Sequence, residues 1–172
     1  MSDLSTSSEQ LPIGDSEPLL QLYAMLQGVP PSPLLRVVCY REPLAGEGRG
    51  AARTELARTE VRRTADPLFS EPLELWGEAS GRRGSASLRF EVQGGAGADS
   101  LEPPLALTTA TASSDVLRRA GRAGSAMQGV AVALPLRTAD DKAIPGGRLH
   151  LYVHAGDGVR DPARASLRAR RL

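Results

Sequence analysis

The feature that most constrains this chain is a series of short runs in which apolar and polar residues alternate, each cut off by Gly or Pro. Successive side chains on a strand point to opposite faces, so such a run buries one side and leaves the other to solvent. LARTEVRRT sets Thr59 and Val61 on one face against Arg58, Glu60 and Arg62 on the other, a half-buried strand with a charged outer side. Asp66-Pro67 ends it, because Pro donates no N–H and biases the residue before it. PLELW resumes with Leu73 and Leu75 facing one way, and ASLRFEVQ turns Leu88, Phe90 and Val92 inward. GVAVALPL is a further strand, and RLHLYVHAG alternates Leu149, Leu151 and Val153 against His150, Tyr152 and His154. LLRVVCYRE, with Val37, Val38 and Tyr40, is rich in strand formers.

Two segments read less simply. PLLQLYAMLQGVP places Leu19, Leu22, Tyr23 and Leu26 on one helical face, but also Leu20, Leu22, Ala24 and Leu26 on one side of a strand, so periodicity leaves both open. Gly94 to Ser114 is long, small and polar, and a short helix is expected at Asp115–Ala120 with Asp115 as its cap. Ala45–Ala52, GEASGRRGS and ADDKAIPGG read as loops. Seven or eight short strands with little helix make an antiparallel sandwich or barrel.

Composition adds bounds. With 172 residues, 41% of them apolar and only 3% aromatic, the core must be built from Leu, Val and Ala. One cysteine, Cys39, excludes an internal disulfide. Net charge is +1, and Lys142 is the only Lys beside many Arg. Residues 1–16, rich in Ser, Asp and Glu, are expected to be a disordered arm. Residues 17–156 form the domain, and 157–172 a basic tail. No signal-peptide pattern and no apolar run near the ~20 residues of a membrane span is found. The expectation is a cytoplasmic protein without a transmembrane segment, peripheral to membranes if it binds lipid.

The stretch RTEVRRTADPLFSEPLEL resembles a segment of C2 domains, in which a Thr-x-Val strand runs into Asn-Pro or Asp-Pro, an aromatic, an acidic residue and another strand. Thr59, Val61, Asp66-Pro67, Phe69, Glu71, Leu73 and Leu75 carry the likeness. Asp66 is expected to bond its own backbone two residues on, and Phe69 to plug one end of the core. PLLQLYAMLQGVP resembles a first C2 strand, which selects strand over helix there. LLRVVCYRE, SLRFEVQ, GSAMQGVAVALPL and GRLHLYVHA resemble later ones. The likeness spans Glu17 to Gly156, and its nearest segments are similar to those of copines and inositol polyphosphate 4-phosphatases. It implies an all-β, eight-stranded antiparallel Greek-key β-sandwich that binds lipids or proteins.

The chain departs from the calcium-binding members. Ca²⁺ takes about six to eight oxygen ligands. The first loop, VPPSP, has no carboxylate, and the third, QGGAGADS, has Asp99 alone, so no metal site is expected. His150 and His154 share a strand face about 13 Å apart, too far for one metal. Cys39 sits mid-strand, and the Arg that a Cys-x5-Arg phosphatase loop requires is replaced by Ala45. No Gly-x-Ser-x-Gly or phosphate-binding Gly-rich loop occurs, so no catalytic residue, cofactor or enzyme activity is expected.

Arg53, Arg58, Arg62 and Arg63 are the candidate lipid-binding residues, since Arg grips phosphate bidentately. Glu55, Glu60 and Glu71 lie among them, so a solvated outer face is the plainer alternative. In the tail, Arg160, Arg164, Arg168, Arg170 and Arg171 are candidates for contact with anionic lipid or an acidic partner surface. Nucleic acid is not expected, for want of an aromatic platform. Two functions stand at this point. One is a calcium-independent C2-like module for peripheral phospholipid or phosphoinositide binding and membrane targeting. The other is a non-catalytic protein-interaction or structural subunit of a larger assembly.

Overall fold

The structure, a computed structural model, describes residues 18–43, 52–76, 86–95, 99–123 and 130–156. The expected arm at 1–16 and tail at 157–172 lie outside the described residues. Among the described residues, eight antiparallel strands and one helix are formed: β1 (Leu20–Gln27), β2 (Leu35–Arg41), β3 (Thr54–Arg58), β4 (Leu73–Leu75), β5 (Ser87–Gly95), β6 (Pro104–Ser113), α1 (Ser114–Ala123), β7 (Val130–Arg137) and β8 (Ala143–Ala155). The sheet order is β3-β2-β5-β6-β7-β8-β1-β4. The two terminal strands, β3 and β4, approach each other, so the sheet nearly closes into a barrel. Between β6 and β7 the ladder thins to a single pair, Thr109 with Arg137.

The alternation is realised as burial. Leu20, Leu22, Ala24 and Leu26 of β1 point into the core, so this segment is the strand and not the helix. Leu88, Phe90 and Val92 meet them from β5, and Leu149, Leu151 and Val153 from β8. Cys39 is buried among them, and burial raises its thiol pKa far above the ordinary value.

Several expectations are corrected. PLALTTATAS, read as connection, is β6, pairing with β5 from Ser87↔Ser113 to Gly95↔Pro104. Its small side chains give no alternation to read, but the neighbouring β5 supplies the ladder. The helix is longer than expected, and Ser113, not Asp115, caps it by accepting the Asp115 N–H at 3.2 Å. Asp115 instead pairs with Arg119, one turn on, at 3.2 Å. Leu117 carries α1 into the core. ADDKAIPGG is not wholly loop, since β8 begins at Ala143.

The Thr59–Val61 alternation also fails. The regular ladder of β3 stops at Arg58, and Val61 is exposed while Thr59 is buried. From Thr59 to Pro72 the chain crosses the open side of the barrel. Its first half binds β2: Thr59 N–H donates to Val37 O, Val37 N–H to Thr59 Oγ1, and Arg62 and Leu35 exchange both backbone bonds at 2.8 Å. Its second half binds β1: Leu26 N–H donates to Pro67 O and Phe69 N–H to Ala24 O. Asp66, at φ 47°, accepts the Gly28 N–H at 2.9 Å rather than its own backbone. Phe69 is buried in the core. The segment that opened the family likeness is thus the strap that ties β2 to β1.

Candidate binding surfaces

The strap is locked by one carboxylate. Glu60 accepts the Ser70 hydroxyl, the Ser70 N–H at 3.1 Å and the Glu71 N–H at 3.2 Å. Arg62 lies 3.5 Å from the same carboxylate and donates to Ser70 Oγ at 3.0 Å. Burial alone would raise the Glu60 pKa. The hydrogen bonds from Ser70 and Glu71 and the charge of Arg62 outweigh it and hold the group below its ordinary value. Here a side chain takes the place of the ladder that β3 and β4 do not form.

The outer face of β3-β2-β5 is densely charged, and each cation meets a carboxylate. Arg58 binds both oxygens of Glu55, at 2.6 and 3.1 Å, and this hydrogen bonding raises its pKa. Arg53 lies 3.7 Å from Glu91 and 5.4 Å over the Tyr40 ring. Arg89 stands 3.9 Å from Glu42. Arg36, only 8% exposed, donates from Nε to Gln93 at 2.8 Å and lies 3.9 Å from Glu102. Gln93 in turn donates to Glu91 at 2.9 Å and to Tyr40 at 3.3 Å.

The expected lipid-binding residues therefore part company. Arg53 and Arg58 belong to this charged face, while Arg62 is drawn into the strap lock. Arg63 is exposed and, among the described residues, has no ion pair. Arg164, Arg168, Arg170 and Arg171 lie outside the described residues. Arg36 and Gln93, which sequence reading did not single out, form the buried part of the network. Their separation of 57 residues leaves no local signal.

The opposite outer face, on β7-β8-β1, is different in kind. Gln21, Tyr23, Met25 and Gln27 of β1 stand opposite His154, Tyr152, His150 and Arg148 of β8. Ala131, Ala133 and Pro135 of β7 continue the surface. Arg148, at its end, is the one formally charged residue among them. His150 bonds Gln27 at 2.9 Å, and His154 packs edge-on against Tyr23 at 6.2 Å and tilted against Tyr152 at 5.5 Å. Met25 and Tyr152 are 38% and 42% exposed, and Leu68 of the strap, bridged to Met25, is 66% exposed.

Among the described residues no three His, Cys, Asp or Glu side chains come together to hold a metal ion. No helix among them is long and apolar enough to cross a membrane. No family model matches the chain, and no curated protein matches its sequence.

Proposed function

We propose that this chain is a non-catalytic, C2-like docking module whose partner is a protein, bound through the uncharged face of β7-β8-β1. The observation that carries this reading is the contrast between its two outer faces. On one, Arg36, Arg53, Arg58 and Arg89 are each beside a carboxylate, so a phosphate group would have to displace Glu102, Glu91, Glu55 or Glu42 to bind. On the other, Tyr23, Met25 and Tyr152 lie in a surface with almost no charge to desolvate, which suits the centre of a protein interface. The occupant is therefore a protein presenting an uncharged surface in return.

The C2-like part of the proposal rests on the sequence likeness and on the thin join at Thr109 and Arg137. That join divides the sheet into β3-β2-β5-β6 and β7-β8-β1-β4, four strands each. Calcium-independent binding of an anionic membrane surface is the second reading. Exposed Arg63 is what favours it.

The test places a photo-crosslinker at Tyr152, and as a control at Thr111 on the charged side, in the full chain. The reading expects one defined protein to be captured from position 152 and lost when Met25→Glu is added. Vesicles with and without phosphoinositide are sedimented with the chain in parallel. Phosphoinositide-dependent sedimentation that falls with Arg58→Ala/Arg63→Ala, without crosslinking from 152, would replace the protein reading by the lipid one.

A further inference from the structure

On the outer face of β3-β2-β5, one arginine is matched far less well than the others. Arg58 takes both oxygens of Glu55. Arg53 and Arg89 stand beside Glu91 and Glu42, two carboxylates that are themselves half-buried in the face. Arg36 has only Glu102, 3.9 Å away and beyond hydrogen-bond distance. The Glu102 side chain is 74% exposed, so water screens the pair and its hold is weak. Arg36 itself is 8% exposed, the most buried arginine of this face.

The guanidinium is fixed from behind. β2 and β5 set Arg36 directly opposite Gln93. Gln93 donates to Glu91 at 2.9 Å and to Tyr40 at 3.3 Å, which turns its amide oxygen toward Arg36. Arg36 Nε–H donates to that oxygen at 2.8 Å. Among the described residues neither Nη nitrogen makes a hydrogen bond, and neither is sealed from solvent. A guanidinium pinned at Nε and open at both Nη nitrogens presents a planar fork, which fits the paired oxygens of a carboxylate. Charged donors this deeply buried are costly to leave without an acceptor.

We propose that Arg36 anchors a binding site for one carboxylate group, which enters by displacing Glu102. The charge balance selects the class of ligand. With Glu102 turned away, Arg53, Arg58 and Arg89 keep Glu91, Glu55 and Glu42, and Arg36 alone is left over. A single negative charge balances it. A phosphate dianion would exceed that balance and be repelled by Glu91, which stays bonded to Gln93 beside the site. The site lies on the face away from β7-β8-β1 and does not rest on docking there.

The test follows the Arg36 Nε–H signal by NMR in the full chain, labelled with heavy nitrogen, as sodium acetate is added. Sodium chloride and sodium phosphate at matched ionic strength run beside it. The signal is assigned by its loss in Arg36→Lys, which keeps the charge but not the fork. The expected result is a saturable shift with acetate and none with chloride. The backbone amides of Gln93 and Gly94 should move with it in the parent and stay in place in Arg36→Lys. Glu102→Gln, a change at an exposed position, should tighten acetate binding by roughly two- to fivefold, the worth of an exposed ion pair. A dipeptide with a free C-terminal carboxylate, compared with its amide, separates two sources of the group. Tighter binding than acetate, lost on amidation, supports the site and assigns it to a peptide end; binding equal to that of acetate supports it and assigns a small organic acid. A response to acetate no different from that to chloride overturns the proposal, and so does an acetate affinity that Glu102→Gln leaves unchanged. Phosphate binding more tightly than acetate overturns it in favour of a phosphate site.

Discussion

Glu60 grips Ser70, ten residues further along, by both its backbone N–H and its hydroxyl, and so joins the two halves of the strap that spans the barrel's open side. A ladder would spread this task over several backbone pairs. Here it is concentrated in one carboxylate that sits below its ordinary pKa.

Glu60→Gln should therefore cost about 1 kcal/mol and Glu60→Ala about 2, because the Ser70 and Glu71 N–H groups lose their charged acceptor. The pH dependence has a definite sign. A carboxylate with a depressed folded pKa contributes stability above its unfolded pKa of about 4.3 and loses it as pH falls through the folded value. Urea titrations of parent and Glu60→Gln between pH 7 and 3 should converge at the acid end.

Gly28 and Asp66 meet at the turn in the middle of the strap, and both have positive φ, 69° and 47°. A Cβ on Gly28 would lie 2.6 Å from the backbone oxygen of Gly146, so Gly28→Ala combines a clash with strain. It should cost more than Asp66→Asn, which keeps a side-chain acceptor and tolerates the left-handed conformation. Thermal melts of the two variants give the order directly.

Phe69 is among the largest fully buried side chains and is the strap's anchor in the core. Phe69→Ala should destabilise by about 3–5 kcal/mol. Hydrogen exchange should then speed most at Leu26 and Phe69, whose amides bond across the strap–β1 contact.

Cys39 should not react with thiol reagents in the folded protein near pH 8, and should react once urea unfolds it. Its thiol pKa is raised by burial, so the sign is opposite to that of Glu60. The stability it supports is complete below the unfolded pKa of about 8.5 and declines as pH rises above it. Cys39→Ala should flatten that alkaline decline.

Arg58→Ala should change stability by less than about 1 kcal/mol, since its pair with Glu55 is largely exposed. A matched loss of stability in high salt for the parent and not the variant checks the assignment.

Strand membership was legible in the sequence wherever alternation was strong, as in Leu88, Phe90 and Val92 or Leu149, Leu151 and Val153. It failed at PLALTTATAS, where small and polar residues erase the pattern, and at Val61, where the strap leaves the ladder after Arg58. Arg53, Arg58 and Arg62 were recognisable as a basic run. Their neutralisation was only partly so, because Glu55 and Glu60 are near in sequence whereas Glu91 is not.

The sequence by itself determined which side chains turn inward along the strands whose alternation is strong, because the two-residue period belongs to the local backbone. It also determined that the ladder must end by Asp66-Pro67, because Pro donates no N–H, whereas the structure ends it already at Arg58. The tertiary structure decided that this break spans the open side of the nearly closed barrel, that Arg36 finds Gln93, and that one outer face is densely charged while the other carries little charge. Those outcomes depend on which strands become neighbours. Strand pairing is settled by contacts between residues tens of positions apart, which no local pattern encodes.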